Sequence, residues 1–502
     1  MAERGDWPWR VHAFLLLALF VTAGACATMP ACPAKGGPTW LEVTSRNITL
    51  RTDLDEANAR ETIARLEEIR AAMLALVWAG APEPAVRTNA VVLRSIREFA
   101  VFTRDTQSPP EVWGFRGDDP PFEPIVALAG TDYRSLGALT HELVHDLTAW
   151  YMPIHPAWYA EGLAKFLETA DYDRKSSLLE AGRPPPDTAR LSMSGRFHAT
   201  ALLDDDFSED TTDIAAFEAR AWLLVHFLIN TRPKEFDRLS AALEATRSTK
   251  EAWSRALPDL TFDRLDEALD DYARHGVYRI VRREMPVPTP HIEVREMRDA
   301  EVHVLRAQLL RSSSVPGTVP DLVGARHELD EALASDPTNV GAFARRVVWF
   351  TPPHQRSQFS AAAEGIAGAH PGDWLAWLMV DLTARSRSVR RTALVRALAI
   401  DRDQPAVLND LAALDLAENR FDEALSLATR GMSFREELWA LAFNAMQAHR
   451  ALGHCAEADA LSKLLKTRGP RHLRPFVPTA IACRPNEAAP AVGNAVPTPA
   501  AP

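Results

Sequence analysis

Short apolar runs, separated by polar and turn-forming residues, recur between residues 40 and 129 and predict β-strands. Between the second and third runs, apolar residues recur at helical spacing from Ile63 to Val77, which predicts a long helix between Asp53 and Gly80. The predicted strands are Trp40–Thr44, Asn47–Arg51, Val86–Leu93 and Pro124–Ala129, and a short helix is predicted over Arg97–Phe102. This order of elements predicts a small α+β unit.

A helical apolar pattern follows the fourth predicted strand directly. It runs from Leu136 to Leu147, and Pro153 and Pro156 end it because proline cannot continue a helix. Pro156 suits the start of a second helix, predicted over Ala157–Glu168, since its missing N–H is not needed there. Further helices are predicted over Ala216–Ile229, which is strongly apolar, and over residues 234–283.

The first of these two helices carries His141-Glu142-Leu143-Val144-His145, an intact H-E-x-x-H. Positions i and i+4 share one face of a helix, so the two imidazoles can bind one metal ion. Glu142 lies roughly 100° round the helix from His141, so it can hydrogen-bond a water on the metal without binding the metal. This is the general-base position of a zinc protease.

The second helix carries Glu161, within Trp158-Tyr159-Ala160-Glu161-Gly162. A catalytic zinc ion takes three protein ligands and keeps a fourth position open for water. His141, His145 and Glu161 meet that requirement. The sequence therefore predicts a Zn²⁺ cofactor bound by these three residues, with Glu142 as the catalytic group.

The two motifs, H-E-L-V-H and W-Y-A-E-G-L-A-K-F-L-E, resemble those of the gluzincin metallopeptidases. They are most similar to a bacterial, peptidase MA-like branch of that clan, in which a P-x-W-x-x-E-G-x-A block closely follows the zinc helix. The segment between His145 and Glu161 is shorter than in thermolysin, which favours this compact branch. The resemblance covers roughly residues 38–280. It implies an α+β, thermolysin-like catalytic domain that hydrolyses peptide bonds.

The resemblance also implies a strand that borders the cleft. In gluzincins, the strand before the zinc helix is a sheet edge that pairs with extended substrate, as in β-augmentation. We assign this position to Ile125–Ala129, although the same run can be an ordinary core strand.

Several side chains near the motifs have more than one interpretation. Asp146 follows His145 and is either a partner of a metal ligand or a solvated carboxylate. Any one of Tyr133, Tyr151 and Tyr159 could stabilise the oxyanion of the reaction. His226 lies on the apolar helix Ala216–Ile229, and we expect it to be a hydrogen-bonded core histidine.

Length and composition narrow the class of protein. A chain of 502 residues with 47% hydrophobic and 25% charged residues is typical of a globular protein of two or three domains. Its formal net charge of −11, without a stripe of basic residues, argues against nucleic acid as a partner.

The N-terminus has the pattern of a secretory signal. Arg4 and Arg10 precede the apolar segment Ala13–Val21, which is too short to span a membrane stably. Ala23-Gly24-Ala25-Cys26 resembles a lipobox, which implies lipidation of Cys26 and a membrane anchor. Ordinary cleavage after Ala25 is the alternative. We therefore expect an exported protein of the cell envelope, on the outer membrane or facing the periplasm. Ala27, after Cys26, carries no acidic retention signal, which favours the outer membrane.

Two further cysteines, Cys455 and Cys483, lie close together near the C-terminus. In an exported protein they can form a disulfide, although two free thiols are the alternative.

Proline and alanine mark the remaining boundaries. Pro286-Val287-Pro288-Thr289-Pro290 predicts a stiff linker, and the chain beyond it is rich in helical, alanine-containing segments. Leu408–Gly431 resembles a tetratricopeptide repeat, with Leu411 and Ala412 in its first helix and Ala424 in its second. A plain helical domain is the alternative. The predicted units are a signal at 1–26, a tether at 27–38, the metallopeptidase at 39–284, a linker at 285–294, the helical domain at 295–475 and a disordered tail at 484–502.

These observations predict an exported, lipid-anchored zinc metallopeptidase joined to a repeat domain of all-α fold. Its expected partners are a protein or peptide substrate, the membrane through the anchor, and a protein bound by the helical repeats. A rival hypothesis is an envelope scaffold without catalytic activity, whose zinc domain is structural or vestigial. The intact Glu142 argues against it, because a structural zinc site has no use for a base.

Overall fold

A six-stranded mixed sheet, with helices on both faces, organises the computed structural model of this chain. The structure describes residues 29, 31–84, 87–103, 114–117, 121–130, 133–152, 155–186, 188–192, 198–204, 214–246, 248–275, 277–286, 289–311, 320–434, 439–467, 469 and 473–478.

The strands of this sheet lie in the order β4-β5-β3-β2-β1-β9. They are β1 Leu41–Thr44, β2 Ile48–Thr52, β3 Thr88–Leu93, β4 Gly114–Gly117, β5 Ile125–Ala129 and β9 Glu293–Glu296. The β2–β3 and β3–β5 pairs are parallel, and the other pairs are antiparallel. A second sheet joins β6 Asp171–Asp173, β7 Leu178–Ala181 and β8 Val281–Glu284.

Most predicted elements of the first half are confirmed. The predicted long helix begins after Asp55, whose side chain accepts a hydrogen bond from the N–H of Asn58, but it ends at Leu76, short of Gly80. The helices of this half are α1 Glu56–Leu76, α2 Ile96–Thr103, α3 Tyr133–Tyr151, α4 Ala157–Leu167, α5 Thr188–Ser192, α6 Ala199–Leu202, α7 Ile214–Thr231, α8 Pro233–Thr246, α9 Thr249–Ala256 and α10 Phe262–His275.

The expectation that Ile125–Ala129 is an edge strand is wrong. Strand β4 pairs antiparallel with its outer side, so β5 lies between β4 and β3. Both hydrogen-bonding sides of β5 are therefore used, and it cannot pair with an added peptide strand. Among the described strands, β4 and β9 are the edges of this sheet.

Alternate residues of the central strands enter two different cores. Ala90 and Val92 of β3 belong to a core shared with α1, α3, α4 and α7, whereas Val91 and Leu93 belong to a second core shared with α2 and the helices that follow β9. All four side chains are at most 1% exposed. The apolar composition of β3 and β5 thus follows from burial on both faces.

The chain after β9 is helical. The helices are α11 Asp299–Arg311, α12 Leu322–Ser335, α13 Val340–Phe350, α14 Ser360–Ala369, α15 Trp374–Thr383, α16 Arg387–Ile400, α17 Pro405–Ala417, α18 Phe421–Met432, α19 Trp439–Ala451 and α20 Cys455–Thr467. Neighbours in sequence pack together, namely α11 on α12, α15 on α16, α17 on α18, and α19 on α20. The coarse prediction of an α+β unit followed by a helical region is confirmed.

The two parts of the chain are joined at more than the predicted linker. Strand β9 begins at Glu293, inside the predicted linker, and pairs with β1. The described part of the predicted tether contacts the helical region, because Lys35 forms an ion pair with Glu331 at 2.5 Å. The predicted domain limits stay predictions.

Cys455 is disulfide-bonded. Its predicted partner, Cys483, lies outside the described residues, as do the predicted signal segment and Cys26. Within the described ranges, no helix has the length and apolarity needed to cross a membrane.

Helices α4 and α7 approach each other closely at Gly162. A Cβ atom at Gly162 would lie 2.5 Å from Cγ2 of Val225 and 2.7 Å from the carbonyl oxygen of Ala221. Glycine at this position therefore sets the spacing of the two helices.

We expect Gly162→Ala to lower the free energy of unfolding by about 1–3 kcal/mol, because the added methyl group overpacks this contact. Urea denaturation of the zinc-free protein measures the change. Gly365→Ala is the matched control, since a Cβ at this exposed helical glycine meets nothing within 4 Å. The control should be neutral or stabilising by up to about 1 kcal/mol. Equal stability of Gly162→Ala and wild type would contradict the spacing role.

Candidate metal centre

Helix α3 presents the two predicted histidines on a half-buried flank. Its opposite side is apolar, and Leu139, Leu143 and Val144 are at most 1% exposed in the core beneath the sheet. Burial of this apolar side fixes the rotation of the helix. The side chains of His141 and His145 consequently remain 14% and 18% exposed.

Helix α4 is held by two buried aromatic residues. The indole N–H of Trp158 donates to Oγ1 of Thr249 at 3.3 Å, and the hydroxyl of Tyr159 donates to Oγ of Ser240 at 2.9 Å. Together with Gly162, which contacts α7, they fix the helix so that Glu161 faces α3.

The three predicted ligand residues converge. The Nε2 atoms of His141 and His145 are 3.1 Å apart; that of His141 lies 3.4 Å from Oε2 of Glu161, and that of His145 lies 3.4 Å from Oε1. Tetrahedral zinc with bonds of about 2.0–2.1 Å separates its ligand atoms by roughly 3.3–3.4 Å. The separations of 3.1 and 3.4 Å are therefore close to those between ligand atoms of one zinc ion.

Two buried polar atoms of the three ligand residues make no hydrogen bond of ordinary geometry within the described ranges, although one of them lies 3.5 Å from a carboxylate oxygen of Glu168. They are Nδ1 of His141 and Oε2 of Glu161. Buried polar atoms are nearly always paired, so such exceptions need an explanation. A cation explains the carboxylate oxygen, and the combination of two imidazoles and one carboxylate is a usual ligand set for Zn²⁺.

Electrostatics favour positive charge at this position. Burial opposes protonation of His141, but Glu161 and Glu168 outweigh burial and raise the pKa of His141 to about 10. Burial also opposes ionisation of Glu161, but His145 and His141 hold the pKa of its carboxyl well below the usual range. The carboxylate is thus ionised at neutral pH, where a metal ion competes with protons for the imidazoles.

A polar network not predicted from the sequence lies behind His141. Oε2 of Glu168 is 3.5 Å from Nδ1 of His141, and Nζ of Lys165 lies 2.9 Å from Glu168 and 3.0 Å from Glu218. The network connects α3, α4 and α7. A carboxylate at this nitrogen orients a ligand histidine and raises its basicity.

Helical spacing could have revealed part of this network. Lys165 and Glu168 follow Glu161 by four and seven residues, which places them on the same flank of α4. Glu218 lies in a different helix, and no local pattern points to it.

The structure also describes the contacts of three other side chains that the sequence offered as site candidates, Asp146, Tyr151 and Tyr159. Oδ2 of Asp146 accepts a hydrogen bond of 2.6 Å from Thr88, on the side of α3 that faces a cavity between the two halves. Tyr159 is fully buried against Ser240, and Tyr151 donates to the carbonyl oxygen of Pro82, so neither reaches the metal ligands in this arrangement. The side chain of Tyr133 lies outside the described residues.

His226 is a buried core histidine, as expected. It is 0% exposed, and its Nδ1 lies 2.9 Å from the hydroxyl of Tyr272. Burial lowers the pKa of His226 to about 4, so this imidazole is neutral at physiological pH.

A second group of ligand-type residues, Cys32, Asp299 and His303, lies at the N-terminal segment. Nη1 of Arg306 is 2.6 Å from the sulfur of Cys32. Burial lowers the pKa of His303, but Cys32 and Glu328 outweigh it and raise that pKa to about 9. A guanidinium on the sulfur and a protonated imidazole both disfavour a metal ion. We interpret this group as an ion-pair cluster that holds the segment to α11.

Comparison of the chain with family models gave no match, and neither did comparison with curated proteins. The resemblance to gluzincins therefore stays a prediction that depends on the two motifs, and the assignment of a metal centre depends on its geometry.

We expect Glu168→Gln to weaken zinc binding about 10- to 100-fold, because the amide is a poorer acceptor for His141 than the carboxylate. Competition with a chromophoric chelator measures the affinity. Glu267→Gln, on the exposed face of α10, is the matched control and should not change it. Unchanged affinity in Glu168→Gln, with an unchanged unfolding midpoint, would show that Glu168 does not support His141.

Proposed function

We propose that this protein is a zinc-dependent metallopeptidase, with His141, His145 and Glu161 as zinc ligands and Glu142 as general base. The observation that carries this proposal is the convergence of the three ligand side chains, with donor separations of 3.1 and 3.4 Å. Glu142 is half-buried on the adjacent flank of the same helix. The finer assignment to the gluzincin fold is part of the same proposal.

Zn²⁺ held by His141, His145 and Glu161 would supply a Lewis acid that polarises a carbonyl and activates water near neutral pH. The carboxylate of Glu142 accepts the proton from the attacking water and then donates it to the leaving amine of the peptide. The carboxylate of Glu168 lies 3.5 Å from Nδ1 of His141 and orients its ring electrostatically, and Lys165 forms an ion pair with Glu168. Burial of α4 keeps Glu161 in place during these proton transfers.

The helical region is proposed to be a tetratricopeptide-like array. Val340, Trp374, Pro405 and Trp439 begin the first helices of successive units, at intervals of 34, 31 and 34 residues. Small residues allow the helices to approach closely, and Ala412, Ala424, Ala428 and Ala445 are at most 1% exposed. Binding of a partner protein through this array stays a proposal.

Export and lipid anchoring at Cys26 are proposed from the sequence alone. Mass spectrometry of the N-terminal peptide separates a diacylglyceryl cysteine from an unmodified Cys26. Neither result, a lipidated or an unmodified Cys26, bears on the proposed metal centre.

We expect Glu142→Gln to retain about one zinc per chain and to reduce hydrolysis about 10²- to 10⁴-fold, because it removes the base and no ligand. Metal analysis and release of amines from an unfolded protein substrate measure the two quantities. Glu267→Gln is again the control. Equal hydrolysis by Glu142→Gln and wild type would remove Glu142 from the mechanism. One bound zinc without hydrolysis by wild type would favour the scaffold hypothesis.

A further inference from the structure

A polar groove separates part of the central sheet from the helical region. Where β3 and β5 meet the helices, the second face of the sheet is apolar and covered. On β1 and β2 the same face carries Glu42, Thr44, Thr49 and Arg51. These residues cannot join an apolar core, so the helices stand off from the sheet here.

Two cavities make up this opening, which we call the sheet–helix groove. Their volumes are about 600 and 430 Å³. They share the lining residues Glu42, Arg51, Asn89 and Glu123, so they adjoin. Volumes of this size are typical of ligand sites rather than of packing defects.

The wall opposite the sheet includes the N-terminal ends of α13, α15 and α17, which carry Val340, Trp374 and Pro405. The side chain of Asn339 accepts a hydrogen bond from the α13 backbone, and that of Asp373 accepts two from α15. Proline at the start of α17 has no N–H to offer. These helix ends are therefore already capped and are poor sites for a phosphate group.

One end of the groove lies on α3, the helix of the proposed metal centre. Asp146, Ala149 and Trp150 line it there. Asp146 and Ala149 follow Glu142 by four and seven residues, so they lie about 6 and 10.5 Å farther along the helix axis. They also lie within roughly 40° of Glu142 in rotation about that axis. The groove therefore begins about one helical turn beyond the proposed base, on the same flank.

The charges of the groove floor largely neutralise one another. Glu42 forms ion pairs with Arg51 at 3.0 Å and with Arg295 at 2.8 Å, and Arg295 also pairs with Glu301 at 2.9 Å. In the larger cavity carboxylates outnumber guanidinium groups. The excess of carboxylates would repel a polyanion. An apolar ligand would desolvate the ion pairs without offering them hydrogen bonds, which is unfavourable. A peptide backbone, which offers neutral donors and acceptors, suits this lining.

Two buried polar atoms of groove residues lack a hydrogen-bond partner within the described ranges. They are Nη2 of Arg70, whose side chain is 5% exposed, beside the larger cavity and Nε2 of His370 beside the smaller one. Each atom needs a partner that the described side chains do not supply.

We propose that the sheet–helix groove binds an extended segment of unfolded polypeptide, which continues along α3 to the peptide bond cleaved beside Glu142. The cleavage part of this inference rests on the proposed function, whereas the binding part does not. A folded domain cannot enter a cleft of this size between two packed layers, so the substrate class is unfolded or unstructured protein. The helical region then supplies one wall of the substrate site.

The test measures binding in the zinc-loaded Glu142→Gln protein, so that hydrolysis does not interfere. The probe is fluorescein-labelled, reduced and carbamidomethylated ribonuclease A, compared with the same protein in its folded, disulfide-intact form. Thr49→Trp fills the groove from the sheet, and Gln404→Trp fills it from α17. Both positions are 8% exposed. Thr392→Trp, on the exposed face of α16, is the matched control.

We expect the unfolded probe to bind at least tenfold more tightly than the folded probe. Each groove variant should weaken binding of the unfolded probe at least tenfold, whereas Thr392→Trp should change it less than twofold. Zinc content and the unfolding midpoint identify any variant that fails to fold. If one groove variant fails to fold, binding of the unfolded probe by the other groove variant tests the proposal. Equal binding of both probes, or full binding by a folded groove variant, would overturn the proposal.

Hydrolysis separates this inference from the proposed function. In the protein with Glu142 intact, Thr49→Trp should reduce kcat/KM at least tenfold for a 20-residue peptide and less than twofold for a pentapeptide with the same scissile bond. Equal losses for both lengths would contradict the path from groove to metal centre. If no peptide is cleaved but the unfolded probe still binds in the groove, the proposed function fails and the binding site remains.

Discussion

The contact of α4 with α7 at Gly162 positions Glu161 against the two histidines of the proposed metal site. Glu161 precedes this glycine, and the space for its carboxylate exists because α4 lies directly on the backbone of Ala221. A shift of α4 away from α7 would move Glu161 relative to the histidines of α3. Ligand separations of 3.1–3.4 Å leave little tolerance for such a shift. The packing of α4 on α7 therefore also sets the distance of Glu161 from the two histidines.

How much of the site the sequence could predict depends on how local each contact is. His141, Glu142 and His145 are fixed relative to one another by the geometry of a single helix. Glu161 lies on the next helix, and the short connection made its position predictable. Glu168 could have been found from its spacing on the same helix. Glu218 reaches Lys165 from α7, and only the three-dimensional structure reveals that contact.

The errors in predicting the fold from the sequence also arise from contacts that are not local in the chain. Strand β4 has the sequence Gly-Phe-Arg-Gly, which carries no strand pattern, yet it covers β5 and removes its edge. Strand β9 pairs with β1 from more than 200 residues away, although prolines precede it. Burial on both faces explains the continuous apolar runs of β3 and β5, but the sequence does not say which layer covers the second face. In the structure, α2 and the helices after β9 cover that face.

Charge balance gives an independent argument for a divalent cation. Glu161, Glu168, Glu218 and Lys165 lie together with side chains 14–21% exposed. With neutral imidazoles, these groups carry a net charge of −2. Protonating both histidines would neutralise it, but their Nε2 atoms are 3.1 Å apart, and two imidazolium rings would repel at that distance. One divalent cation between the same atoms neutralises the cluster without that repulsion, which favours a metal ion over two protons.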